Sequence, residues 1–156
     1  MIEIGFKKIE LEDKDLITHY FKHHTSRSCE RTFVNVYLWA RFYHVKFAEV
    51  EHTLVFRTED EDGFSFAYPA GEPENVKKAL DVLMVYSKER GVPFLMYTVT
   101  PDNFEYLEKW YPGRFEIEYV EGDADYVYES EKLATLSGKK LHSKRNHVNK
   151  FKIVYA

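Results

Sequence analysis

Apolar and polar positions change period several times along the chain, and each change predicts an element. Residues 2–11 alternate loosely and predict a first strand. Asp13 then stands as a helix N-cap before Leu16, Ile17, Tyr20 and Phe21, which recur at helical spacing. Residues 32–43 (TFVNVYLWARFY) are apolar nearly all the way round, which predicts a helix buried on most sides. Its Asn35 and Arg41 then need polar partners, and a carboxylate is expected beside Arg41. From Val45 the period shortens. Residues 46–50, 53–58 and 64–68 predict consecutive antiparallel strands, with the acidic EDEDG run at 59–63 as a hairpin loop. Val76, Ala79, Leu80, Leu83 and Met84 predict an amphipathic helix that ends near Gly91, at its C′ position. Residues 94–99 form a continuous apolar run between Pro93 and Pro101, the pattern of a central strand. Asp102 opens a short helix carrying Leu107, Trp110 and Tyr111 on one face, and residues 114–120 alternate strictly, the clearest strand pattern in the chain. The predicted order β-α-α-β-β-β-α-β-α-β gives an α+β sandwich: a mixed, largely antiparallel central sheet flanked by helices.

The last twenty residues (SGKKLHSKRNHVNKFKIVYA) break with everything before them. They hold six lysines and arginines and no acidic residue, a charge of +6. The other 16 basic residues and all 26 acidic residues lie in 1–136, which therefore carries −10. Such asymmetry points to an anionic partner or to an acidic surface that the cations complement. As a helix, this segment aligns Leu141, Val148, Phe151 and Tyr155 on a narrow stripe. A helix of this length is marginal alone in water, so the stripe needs a surface to cover.

Composition narrows the class. A length of 156 residues fits one domain, and 17% aromatic content supplies large buried areas. The mildly negative total argues against a general nucleic-acid coat. Cys29 is the single cysteine, which excludes an internal disulfide and fits a reducing compartment. No stretch reaches the roughly 20 apolar residues of a transmembrane helix, and the N-terminus lacks a secretory signal pattern, so a cytoplasmic location is expected.

Candidate chemistry is sparse. Cys29 beside Glu30 has no evident base, and a buried thiol is the expectation. His19 and His23 have helical i, i+4 spacing but no third ligand, and His142 and His147 lie among cations, so no metal site is assigned. Glu30, Thr32 and Asn35 open the apolar helix and are read first as capping residues, with a pocket role as the alternative.

Several blocks, taken together, resemble one family. They are Cys29-Glu30-Arg31-Thr32-Phe33 with Asn35, Tyr37 and Trp39; Pro69-Ala70-Gly71; Asp125-Tyr126-Val127-Tyr128; Lys132-Leu133; Gly138-Lys139-Lys140-Leu141-His142; Lys144-Arg145-Asn146-His147; and Asn149-Lys150-Phe151. This pattern is similar to that of the phosphatidylglycerol lysyltransferase C-terminal-like proteins. The resemblance implies a GNAT-like (acyl-CoA N-acyltransferase-like) module over 1–136 and a basic connecting helix over 137–156. Family members are roughly twice this length, so a second GNAT-like module is expected to be absent here. The resemblance also implies kinship with the aminoacyl-lipid synthases, which move an aminoacyl group from a charged tRNA to a lipid headgroup. A coenzyme A site is not expected, because the best helix start, near Gly71, is flanked by Glu72 and Glu74, which repel phosphate.

Two functions follow from these readings. One is half of a GNAT-like acyl- or aminoacyltransferase, incomplete alone. In it, Lys139, Lys140, Lys144 and Arg145 contact phosphates of an aminoacyl-tRNA or lipid headgroup, and Asn146 and Asn149 add amide hydrogen bonds. Glu30, Thr32, Asn35 and Tyr126 are its candidate pocket residues, and no catalytic residue is assigned. The other is a non-catalytic assembly module whose basic helix docks on a partner chain or anionic polymer, including a second copy of itself.

Overall fold

A computed structural model describes residues 1–22, 28–61, 63–123 and 126–155. These residues divide into two compact units, Met1–Glu118 and Tyr119–Ala156.

The first unit is built on a five-stranded sheet: β1 (Lys7–Lys8), β2 (Lys46–Val50), β3 (Thr53–Asp60), β4 (Gly63–Ala67) and β5 (Met96–Tyr97), neighbouring in that order. The first three pairings are antiparallel and β4 with β5 is parallel. This is the mixed, largely antiparallel sheet flanked by helices that the hydropathy pattern predicts. Side chains alternate across it as strand geometry requires. Phe47, Leu54 and Phe56 face one layer with Ile17, Phe21 and Phe33, from helices α1 (Lys14–Lys22) and α2 (Phe33–Ala40). Ala48, Val50, Val55 and Phe66 face the other, against Ala79, Leu83 and Tyr86 of α3 (Pro73–Glu89). Both faces are covered, which is why β3 reads Leu-Val-Phe without a polar interruption. A third cluster joins α3 to α4 (Pro101–Trp110) through Val76, Leu80, Leu107 and Tyr111.

Local signals account for several boundaries. Gly91, at φ 67°, ends α3 as its C′ residue. Glu51 and His52 both take positive φ, the primed-turn geometry that suits the β2–β3 hairpin twist. Asp13 accepts from Lys7 Nζ at 2.6 Å and from the Glu10 amide at 2.9 Å, pinning the chain between β1 and α1. Burial raises its carboxyl pKa, but these bonds outweigh that and hold it below the ordinary value.

Four expectations need correction. Only Lys7 and Lys8 of residues 2–11 pair as a strand; Ile2, Ile4 and Phe6 pack on the α3 side instead. The helix at α2 is not enclosed. It leans on the sheet through Phe33 and Ala40, while Val34, Leu38 and Trp39 are exposed, as are Phe42 and Tyr43 in the turn that follows. The apolar run 94–99 is not a central strand: only Met96 and Tyr97 pair, at the end of the sheet, and Phe94, Met96 and Val99 pack on the third cluster. Residues 114–120 are not a strand, since none of the described residues pairs with them, and Ile117 and Tyr119 are exposed.

The second unit holds α5 (Ser130–Thr135), a 3-10 turn at Lys139–Leu141 and α6 (His142–Tyr155). Leu136, at φ 50°, and Gly138, at φ 91°, turn the chain between the helices. Neither α5 nor α6 contains a buried residue. On the expected stripe of α6, Val148, Phe151 and Tyr155 are exposed, with the Phe151 and Tyr155 rings 5.2 Å apart.

Candidate functional site

In the first unit, polar groups converge where β4 and β5 end side by side. The Tyr68 amide donates to the Tyr97 carbonyl at 3.0 Å, holding the two strand ends together. Arg31, in the 3-10 turn Cys29–Arg31, donates from Nη2 to the Tyr68 carbonyl at 2.8 Å and lies 5.9 Å from the Phe21 ring centre. The Tyr97 hydroxyl shares a 2.8 Å hydrogen bond with Thr58 Oγ1 on β3. Thr98 follows at φ 54°, and its Oγ1 is buried without a hydrogen-bond partner. A β-branched residue in that conformation costs about 1–3 kcal/mol, which the surrounding structure must offset.

The electrostatics follow from burial. Desolvation lowers the pKa of the Arg31 guanidinium, opposed by Tyr97, Tyr68 and Glu30, although arginine stays protonated in proteins. No described ion pair involves Arg31. Burial pushes the Tyr68 phenol up to about 12, with Tyr106 adding and Arg31 opposing. Tyr97 is raised by burial and Glu30, while its bond to Thr58 and the charge of Arg31 act the other way. Both phenols stay neutral at physiological pH. The arrangement therefore places a half-buried guanidinium near two neutral phenols, at strand ends followed by a buried hydroxyl without a partner.

The candidate residues around α2 come together as a cap. The Ser28 side chain accepts from the Glu30 amide at 3.2 Å, and Thr32 Oγ1 accepts from the Asn35 amide at 3.4 Å. Asn35 Nδ2 donates to Glu30 Oε1 at 3.3 Å. These bonds fit the capping reading and place Glu30 near Arg31 and Tyr97. Tyr126 belongs to the second unit and is 90% exposed. Cys29 is exposed rather than buried, because it sits on the outer side of a short turn and not in the helix that follows. Arg41 is exposed and takes part in no described ion pair, contrary to expectation; it borders an open groove of about 1040 Å³. Lys8, Glu10, His44, Lys46 and Glu59 also line that groove, so it selects neither sign of charge. His19 is exposed, and His23 lies outside the described residues.

The basic segment divides into two roles. Arg145 donates from Nη1 to the Gly138 carbonyl at 2.9 Å and also to the Leu136 carbonyl, so its guanidinium closes the turn before α6. Lys144 Nζ lies 5.7 Å from the Tyr128 ring centre. Asn146 approaches His142 Nδ1 at 3.5 Å. Lys139, Lys140, Lys144 and Asn149 are exposed, and no described ion pair involves any cation of this segment.

Sequence reasoning missed Tyr68, Tyr97 and Thr98 altogether, and noted Arg31 only as part of a block. Nothing in the local sequence marks an arginine as desolvated; that arises from packing beside strand ends that are distant in the chain.

Comparison with known proteins adds a frame. The family described as phosphatidylglycerol lysyltransferase, C-terminal, matches residues 21–155. An uncharacterized protein of Mycoplasmoides gallisepticum, MYCGA3080, is 41% identical over 44 residues, covering 28% of this chain and 14% of that protein. The crystal structure of a conserved protein of unknown function from Bacteroides thetaiotaomicron VPI-5482 superposes with a TM-score of 0.85 at 33% identity. The match covers 98% of this chain and 51% of that one, so the chain spans about half the length of that structure.

Proposed function

This chain belongs to the phosphatidylglycerol lysyltransferase C-terminal family, and on that premise we propose that it is one half of a GNAT-like acyl- or aminoacyltransferase. The module is residues 1–136, the basic helix of 137–156 connects it to a second module, and the chain is not catalytically complete alone. The observation that carries this reading is α6 itself: a helix within the family match, without a buried residue, whose lysines meet no carboxylate in a described ion pair. Cations left open in this way suit the phosphates of an aminoacyl-tRNA acceptor stem or a lipid headgroup.

In the transfer, an acceptor hydroxyl or amine attacks the ester carbonyl of the charged donor. A new acyl bond forms as the donor's ester oxygen leaves with the electron pair, and the acceptor's proton passes to it. This half contributes phosphate clamping and orientation rather than a covalent intermediate. Lys139, Lys140 and Lys144 are the clamp, and Asn149 adds an amide donor. Arg145 and Asn146 act mainly on the helix.

Binding of an aminoacyl-tRNA measured over a range of salt concentrations tests this. A Lys139→Glu, Lys140→Glu, Lys144→Glu variant that keeps its circular dichroism should bind more weakly, with a shallower dependence on salt, because each lost phosphate contact lowers the slope by about 0.7–0.9. Unchanged affinity and slope would remove the clamp from the proposal. A second reading, an assembly module that associates through α6, is favoured by the exposed Phe151, Val154 and Tyr155. Light scattering that shows a monomer at all concentrations counts against it.

A further inference from the structure

Lys8, Lys46 and Arg57 stand opposite one another in register across β1, β2 and β3, three cations in one cross-strand row. Glu59 answers two of them, meeting Lys46 Nζ at 3.1 Å and also Arg57. Lys8, on the edge strand, takes part in no described ion pair. Like charges facing one another in a sheet are unfavourable, so a carboxylate beside Lys8 would stabilise the row. Lys8 lines the open groove of about 1040 Å³, and so does Arg41, a second cation without a described ion pair. Glu10, which also lines it, meets neither in a described ion pair, and Glu61 lines it where β3 turns into β4. Pockets for small ligands measure roughly 300–1,000 Å³, so the groove has room for an extended segment of chain. Next to its lining residues in the sequence, Trp39, Phe42 and Tyr43 are half or more exposed, with ring centres 4.9–6.1 Å apart. Aromatic residues and arginine are enriched where protein surfaces meet.

The complement to this groove lies on the same molecule. Arg114, Glu116 and Glu118 are spaced two apart, which puts them on one side of an extended chain. All three are exposed, and neither carboxylate enters a described ion pair. The segment thus presents two carboxylates and a cation, while the groove holds two unmatched cations and the Glu61 carboxylate. Pairing of this segment with itself in a second copy is disfavoured, because antiparallel pairing about Ile117 would set Glu116 against Glu118. Phe115 anchors the segment near β5, its ring 6.2 Å from that of Phe94. β5 forms one edge of the sheet and β1 the other, so the segment lies across the sheet from its own groove.

We propose that the groove docks residues 114–118 of a second copy of this chain, with Lys8 and Arg41 receiving Glu116 and Glu118, and Glu61 receiving Arg114. A groove on one edge of the sheet and a segment on the other make the contact head-to-tail. Association therefore continues beyond two copies unless it closes into a ring. The contact does not involve α6, and it holds whether or not the chain is half of a transferase.

The test is light scattering of the full chain, whose average mass should rise with concentration. Arg41→Glu in one variant, and Glu116→Lys with Glu118→Lys in another, should each weaken association about tenfold. Mixing the two variants should restore it, because the reversed segment of one then meets the reversed groove of the other. Circular dichroism checks that each variant is folded, and Lys8→Glu replaces Arg41→Glu should the latter not fold. A parent that is monomeric at every concentration overturns the proposal, and so does association that both charge reversals leave at parental strength. A mixture that associates no better than its components overturns it as well. Phe151→Ser should leave association unchanged; loss of association through that substitution would assign the contact to α6 instead.

Discussion

Tyr111 donates its hydroxyl to the Asp81 carboxylate at 2.7 Å, tying the end of α4 to the middle of α3. Asp81 also receives Lys77 Nζ at 3.1 Å, so one carboxylate serves a phenol and an ammonium. Tyr111→Phe keeps the ring in the third cluster and removes that bond together with a longer one, from the same hydroxyl to the Lys77 carbonyl at 3.2 Å. It should cost about 1 kcal/mol at neutral pH, read as a lower midpoint in guanidinium unfolding.

The same phenol contributes to the alkaline limit of the fold. Burial, and then the bond to Asp81, raise the pKa of Tyr111, and burial raises Tyr68 to about 12, from an ordinary value of 10.0. A raised folded pKa means that the fold favours the neutral phenol. The associated stability is complete below pH 10 and is lost as pH climbs through the folded values. Unfolding midpoints measured across pH 9–12 should therefore fall above about pH 10, and Tyr111→Phe should fall less steeply than the parent.

Gly71 is held to glycine by contact rather than by φ. A Cβ there would stand 2.8 Å from Thr53 Cγ2 and 3.1 Å from its Cβ. Thr53 is fully buried and donates to the Val50 carbonyl at 2.7 Å, so it has little freedom to move. Gly71→Ala should cost about 1–3 kcal/mol. Thr53→Ser keeps the hydroxyl and deletes the clashing methyl, so the double variant should regain part of that loss. Thermal unfolding of the four proteins as a mutant cycle checks this.

Arg145 is the exception among the tail cations. Arg145→Met removes its bonds to the Leu136 and Gly138 carbonyls, and amide exchange in α6 should speed up as about 1–2 kcal/mol of local stability is lost. Lys144→Met should leave exchange rates near those of the parent. Equal effects from the two substitutions would show that Arg145 has no special place in the turn.

Exposure on α2 gives the opposite kind of prediction. Leu38→Gln and Trp39→Gln alter residues on the outer face and should each change stability by less than about 0.5 kcal/mol. Phe33→Ala, on the buried face of the same helix, should cost about 3–5 kcal/mol. Chemical denaturation of the three variants separates the faces.

Much of the fold was legible because its elements are locally consistent. Residues 46–50 pair with the bounds their alternation predicts, and Gly91 closes α3. Errors arose where apolar character has a cause other than the expected element. The α2 sequence is apolar on both sides although only one side meets the sheet. The run 94–99 is apolar because it packs beside helices, and only two of its residues pair. Capping at Thr32 could be read from residue type and spacing. The Arg31–Tyr68–Tyr97 cluster could not, since it joins a turn to two strand ends more than thirty residues away.

The stretch 114–120 retains an alternating pattern without a partner strand among the described residues, and it runs across the boundary between the two compact units. Its peptide bonds are consequently open to a protease. A brief digestion with a glutamate-specific enzyme should cut first after Glu116 or Glu118, and mass spectrometry of the products identifies the site.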